Sequence, residues 1–258
     1  LDTHDPRRVL TSVVETEQRP VTFMFAGLGN QYVNMAQGLY AEERGFREEV
    51  DRCCEILKPH LGLDLGDVLY PAGNERLNAV SQKTEANGKP ASSSLDLRKM
   101  LRRDDQQDEA TRKLDETWLS QPALFVIEYA LAQWWMKCGI RPQSLIGYSI
   151  GEHVAACLAG VLSLEDALWL VAKRAQLIQE LPAGAMLAVP LSEKEVQPLI
   201  NQQLSLAAVN GPAVCVLAGP PEAINGLEER LTRKGVACRR PKTTHAFHSG
   251  MMTPVAEA

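Results

Sequence analysis

The chain has 258 residues, 45% hydrophobic and 23% charged, a balance that supplies an ordinary globular protein with a core of useful size. Its formal net charge of −5 provides no basic field and excludes general nucleic-acid binding; only a local site could attract an anionic substrate. The longest apolar stretch, Pro122 to Met136, is too short for a bilayer and carries Glu128 and Gln133, so it predicts a buried helix and no membrane span.

Residues 1–20 are polar, end in Arg19-Pro20 and read as a linker; their charges (Asp2, Asp5, Arg7, Arg8) are unlike a signal peptide. Val21–Phe25 is an apolar run that stops at Gly27-Leu28-Gly29-Asn30, which predicts a first core strand and a tight turn. Helical patterns follow through Leu39 and from Glu42 to Leu57. Residues 72–114 change composition, with Asn87-Gly88-Lys89-Pro90, three serines at 92–94 and the charged run Arg102–Gln107; they predict a polar surface insertion, partly disordered. Gln121–Cys138 is an apolar helix closed by Gly139. Ser144–Gly147 is a short strand that meets a helix over 150–159 through Gly147-Tyr148-Ser149-Ile150-Gly151. Ser163 caps the next helix, with Asp166 three residues on, and that helix runs to about Leu181.

From Ala185 the pattern changes to strand Ala185–Pro190, helix Ser192–Ile200, strands Leu204–Asn210 and Ala213–Gly219 about Asn210-Gly211-Pro212, helix Glu222–Lys234 and strand Ala237–Thr243. The order βαββαβ predicts a ferredoxin-like subdomain over 183–243. It is inserted in a larger α/β-hydrolase-like domain over 21–182, to which the chain returns at 244–258. The chain ends ten residues after His248, so the C-terminal part of the large domain is expected to lie beyond it.

G-x-S-x-G carries chemistry when it joins a strand to a helix, and here it does. The glycines allow the two elements to approach, the turn lifts Ser149 to the top of the sheet, and the N-terminal N–H groups of the helix favour a developing oxyanion. A serine nucleophile needs a base. Of the five histidines, His4 lies in the linker, His60 in a loop, and His153 one turn along the same helix, as a surface or packing residue. His245 and His248 follow the serine by about a hundred residues, the chain order of a hydrolase-like elbow, and either could be the base. In the helix Ser163–Leu181, Arg174 interrupts an apolar stripe of Leu170, Val171 and Leu177. A charge on such a face needs a partner: either a structural ion pair, or a substrate carboxylate received by both arms of the guanidinium. The six cysteines form no C-x-x-C pair and no Cys/His pattern; they predict reduced thiols, a cytoplasmic location and no metal site.

Five ordered matches, Gly27-Leu28-Gly29-Asn30-Gln31, the Gly147–Glu152 elbow, Arg174, Asn210-Gly211-Pro212 and His245–His248, resemble the malonyl-CoA:acyl-carrier-protein transacylase family, most closely the acyltransferase domains of modular polyketide synthases. The resemblance implies that Ser149 takes an acyl group from an acyl-CoA with His248 as base. The N–H groups of Leu28 and Ile150 would form the oxyanion hole, and Arg174 would hold the extender carboxylate. Tyr148, Phe247, Asn210 and His245 would shape the substrate site. The His-Ala-Phe-His sequence goes with malonyl units, Phe247 crowding an α-methyl branch. The implied acceptor is the phosphopantetheine thiol of an acyl carrier protein, with a neighbouring ketosynthase and no bound cofactor. The sequence departs from the family at Leu28, where a Gln is usual, and at Tyr148, where a His is usual. A serine hydrolase that edits stalled acyl groups, or a non-catalytic docking domain, are the competing expectations.

Overall fold

The computed structural model describes residues 19–71 and 109–257. The expected linker up to residue 18, and residues 72–108 of the expected insertion, lie outside the described residues. The rest of that insertion is not an irregular loop: residues 109–115 are helical. Leu114 is buried there at 1% exposure, because this turn closes over the start of the central helix.

Strand β1 (Thr22–Phe25) and strand β2 (Ser144–Gly147) pair in parallel. Between them lie α1 (Gln37–Glu42), α2 (Arg44–Leu61), α3 (Leu65–Leu69) and α4 (Thr117–Lys137). Helix α2 carries an apolar stripe of Phe46, Val50, Cys53, Cys54, Leu57 and Leu61, at the spacing of one helical face. Helix α4 is buried on every side from Leu119 to Ile127, between α2 and α6 (Leu164–Gln179). Ser163 caps α6 as expected, its Oγ accepting from Asp166 N at 3.0 Å. Among the described residues no helix is long and apolar enough to cross a membrane.

A second, separate core forms in the C-terminal half around Leu187, Leu217, Ile224 and Leu227. Its sheet has the order β3 (Ala185–Val189), β5 (Val214–Gly219), β4 (Ser205–Gly211), with both pairings antiparallel. Helix α7 (Glu193–Val196), with a capping box from Ser192 and Glu195, and helix α8 (Pro221–Arg233) pack on it. The β4–β5 turn falls on Pro212 and Ala213, one or two residues later than the sequence suggests. The expected strand Ala237–Thr243 is reduced to one antiparallel bridge, Arg239 with Ala188. Pro241 has no N–H to donate to a ladder, and this segment already turns towards the large core at Thr244.

Two details of this frame position the site. Phe25 pairs with Gly147, so both parallel strands end at the same level and their following loops lie side by side. Gly184 N donates to Thr244 O at 3.0 Å where the chain crosses between the two cores, and a Cβ on Gly184 would stand 2.3 Å from Ala246 N. The crossing is that close because no side chain intervenes, and it fixes the loop 244–249 over the sheet.

Candidate active site

The elbow forms where the sequence predicts it. β2 ends at Gly147, α5 (Gly151–Leu158) begins four residues later, and Ser149 sits at the turn with φ 54°. A non-glycine residue in the left-handed region costs about 1–2 kcal/mol, which the packing around it must offset. That packing leaves no room for side chains at the two glycines. A Cβ on Gly147 would stand 2.2 Å from Glu152 N, and one on Gly151 2.6 Å from Phe25 O. Tyr148 N donates to Phe25 O at 3.0 Å, tying the elbow to the end of β1. The loop after β1 therefore runs beside Ser149. Within it Gly29 N donates to Gln31 Oε1 at 2.8 Å, and Gln31 Nε2 reaches Asp115 Oδ1 at 3.4 Å. Neither Leu28 N nor Ile150 N meets an acceptor among the described residues.

Of the two candidate histidines, the geometry selects one. Ser149 Oγ lies 2.8 Å from His248 Nε2. His248 also has a left-handed backbone, φ 56°, on a turn closed by Ser249 Oγ donating to Ala246 O at 2.6 Å. His245 is 4% exposed, with Nδ1 2.8 Å from Thr244 Oγ1 and its ring edge-on to Phe247. It supports Phe247 from behind, so the structure does not bring it to Ser149. His153 is half-buried on α5, in the packing role expected.

Partial burial holds the His248 imidazole below its ordinary pKa; the positive charge of Arg174 lowers it further, and Glu152 opposes both. A base must be neutral to accept the serine proton, and a depressed pKa keeps it neutral to lower pH. Labelling of Ser149 by a serine-directed fluorophosphonate should therefore fall away on the acid side with a midpoint below about 6.5, the ordinary histidine value. Removing a nearby positive charge favours the protonated ring, so Arg174→Gln should move that midpoint to higher pH. A midpoint unmoved by Arg174→Gln would contradict the coupling.

Arg174 leaves the apolar core on one side of α6. Val171 is fully buried, whereas Leu170, Arg174 and Leu177 line a cavity of about 750 Å³ together with Trp169, His248 and Met252. Of the two alternatives for Arg174, the structural ion pair does not form among the described residues, where no carboxylate pairs with it. Its Nη1 donates instead to Gln121 Oε1, and Gln121 Nε2 donates to Thr117 Oγ1 at 2.8 Å. Burial lowers the guanidinium pKa, but an arginine stays charged in proteins. The fork is thus braced on one side by a neutral amide, with further donors left for an anion.

Tyr148 is 50% exposed and its hydroxyl donates to Asn210 Oδ1 at 3.3 Å, which joins the elbow to β4 of the second core. Its ring lies over Gly27, where a Cβ would meet Tyr148 Cδ1 at 2.6 Å. Phe247 is buried at 6% exposure. Three residues near the site escaped the sequence reading: Gln121, Asp115 and Glu128. An amide at the start of the apolar run 121–127 was the available signal for Gln121; Asp115 directly follows the stretch read as insertion.

The acyl transferase domain family matches residues 22–258. A phenolphthiocerol/phthiocerol polyketide synthase of Mycobacterium tuberculosis is 37% identical over 235 residues, which is 91% of this chain and 13% of that synthase. Among solved structures, the acyl transferase domain of ZmaA superposes with a TM-score of 0.76 at 40% identity, covering 98% of this chain and 52% of that one. The malonyl CoA-acyl carrier protein transacylase of Coxiella burnetii superposes with a TM-score of 0.69 at 25% identity, covering 93% of this chain and 66% of that one. The chain thus spans a small fraction of the synthase it resembles and about half of the ZmaA structure. With an α/β fold shared with these domains, this chain belongs to the acyl transferase domain family.

Proposed function

We propose that this chain moves a malonyl unit from malonyl-CoA to the phosphopantetheine thiol of an acyl carrier protein, by way of an ester on Ser149. One observation carries the reading: His248, 2.8 Å from Ser149 Oγ, and an arginine without a carboxylate partner among the described residues line the same cavity. In the first half-reaction Ser149 Oγ attacks the thioester carbonyl carbon while His248 Nε2 takes its proton. The carbonyl oxygen becomes an oxyanion, and the N–H groups of Leu28 and Ile150, which meet no acceptor among the described residues, are the donors that would receive it. Collapse breaks the C–S bond, and His248 returns the proton to the departing CoA thiolate. The carrier thiol then repeats the sequence on the Ser149 ester, which makes the reaction ping-pong.

Arg174 would hold the free carboxylate of the acyl group with the donors that Gln121 does not occupy. Phe247, held by His245, would crowd a branch on the adjacent carbon. Such a wall is worth about 1–3 kcal/mol per methyl. Tyr148 and Asn210, hydrogen-bonded across the cleft, would bound the acyl site on the other side.

The first core is read as an α/β-hydrolase-like large subdomain over 21–182 and 244–258, supported by the parallel β1–β2 pair feeding an elbow. The second is read as a ferredoxin-like subdomain over 183–243. The antiparallel order β3-β5-β4, with Arg239 bridging the free edge of β3, supports it. The likeness to polyketide synthases further suggests a cytoplasmic setting beside a ketosynthase. No resident cofactor enters the reading.

The test separates transfer from hydrolysis. The chain is loaded with malonyl-CoA and chased with a phosphopantetheinylated carrier protein. Recovery of most of the malonyl on the carrier is the expected result. Release of free malonate at the same rate with or without the carrier would make the chain a hydrolase.

A further inference from the structure

The loop that presents Leu28 begins one residue after β1, so the last peptides of that strand set where the Leu28 N–H points. The peptide Phe25–Ala26 is held on one side by the elbow: Phe25 O accepts from Tyr148 N at 3.0 Å. Gly151 lies so close that a Cβ there would meet Phe25 O at 2.6 Å and Ala26 O at 2.8 Å. On the other side the fastening comes from α4. Ala26 N donates to Glu128 Oε1 at 2.8 Å, across 102 positions of sequence.

Glu128 is an expensive residue at this position. Its helix neighbours Val126, Ile127, Tyr129 and Ala130 are buried, and its second oxygen, Oε2, is buried without a hydrogen-bond partner among the described residues. Burial pushes the carboxyl pKa up to about 7, against the opposing effect of the Ala26 N–H. It lines a cavity of about 460 Å³ with Phe23, Phe25, Leu131 and Trp135, so its surroundings are otherwise mostly apolar. A methionine or leucine would fill this space without the desolvation cost. It would leave Ala26 N unpaired at the start of the loop.

We propose that Glu128 is the positioning residue of the oxyanion loop, its Oε1 fixing the Ala26 peptide and through it the Leu28 N–H. This rests on the reading of Leu28 as an oxyanion donor. Glu128 touches neither acyl donor nor acceptor. It acts equally on both half-reactions, because both pass through an oxyanion at the same place.

The test is transient kinetics of the full chain, with malonyl-CoA as donor and pantetheine as acceptor, on wild type, Glu128→Ala, Glu128→Asp and Glu128→Gln. Glutamine keeps a carbonyl acceptor for Ala26 N and should stay within about threefold of wild type in both half-reactions. Alanine removes the acceptor, and aspartate, one methylene shorter, draws it back. Both should slow acylation and deacylation by the same factor, roughly tenfold to a hundredfold, below the full loss of an oxyanion donor. KM for malonyl-CoA should move by less than about twofold, since ground-state binding is untouched. Thermal unfolding reports whether each variant is folded. If alanine fails to fold, aspartate decides alone. Slowing of one half-reaction only, a rise in KM alone, or equal damage by glutamine and alanine would overturn the proposal. So would unchanged rates in a folded alanine or aspartate variant. A wild type that forms no acyl-enzyme would instead refute the acyltransferase reading itself.

Discussion

Replacing Ser149 with alanine is expected to abolish the acyl-enzyme and to lower malonyl transfer by at least about a thousandfold. Ser149 Oγ is the hydroxyl that lies 2.8 Å from His248 Nε2. Without it, His248 has no proton to take, and what remains is binding and oxyanion stabilisation for a direct attack. Removing one member of such a set costs nearly as much as removing all of it. Stability should change little, because the strained backbone at φ 54° is held by the glycine contacts on either side. Thermal unfolding beside the transfer assay separates the two effects. A Ser149→Ala protein that still accumulated an acyl ester would place the nucleophile elsewhere.

Arg174→Ala should invert the acyl preference. Charge-assisted hydrogen bonds to a partly buried guanidinium are worth about 1.5–3 kcal/mol each, so loss of a two-armed contact predicts a fall of roughly a hundredfold in kcat/KM for malonyl-CoA. Acetyl-CoA has no carboxylate to lose. Alanine also removes the cation whose burial against Leu170 and Leu177 an uncharged acyl group does nothing to relieve. The acetyl-to-malonyl ratio should therefore rise by more than the malonyl loss alone. Lysine should not rescue it, because a compact point charge lacks the planar fork that meets two carboxylate oxygens side by side. Gln121→Leu is the milder companion, lowering malonyl loading by releasing one brace of the arginine. Malonyl loading that survived Arg174→Ala would end the carboxylate role.

The chemistry of the elbow was legible because it needs few residues at fixed spacing. Gly147 and Gly151 are required because an added Cβ would stand only 2.2 Å and 2.6 Å from backbone atoms, and such sites admit no other residue. The base was not legible from spacing, since His245 and His248 share one turn. The turn itself decides: His245 packs under Phe247 and His248 swings out to Ser149. Arg174 was visible as a charge in an apolar stripe, but its partner was not, because a neutral Gln121 on another helix leaves no charge pattern to read. Glu128 was read only as a blemish in an apolar helix; its contact with Ala26 spans 102 positions and no local signal reports it.

Among the elements, long periodic helices were placed to within a few residues, as for α2 and α6. The strand expected at Ala237–Thr243 failed because local β pattern does not show what the chain must do next. Here it must cross at Gly184 and bring His248 back over the sheet. The stretch 109–114 was misplaced for the opposite reason. Its charged neighbours masked Leu114, whose burial becomes visible only when α4 is in place.

The most direct measurement is intact-protein mass spectrometry of the wild type and of Ser149→Ala after brief exposure to malonyl-CoA, methylmalonyl-CoA and acetyl-CoA in equal amounts. The expected result is a single added malonyl group on the wild type, mapped to Ser149, little methylmalonyl or acetyl, and no addition to the variant. An acetyl adduct in excess of malonyl, or a malonyl adduct that persists in Ser149→Ala, would contradict it.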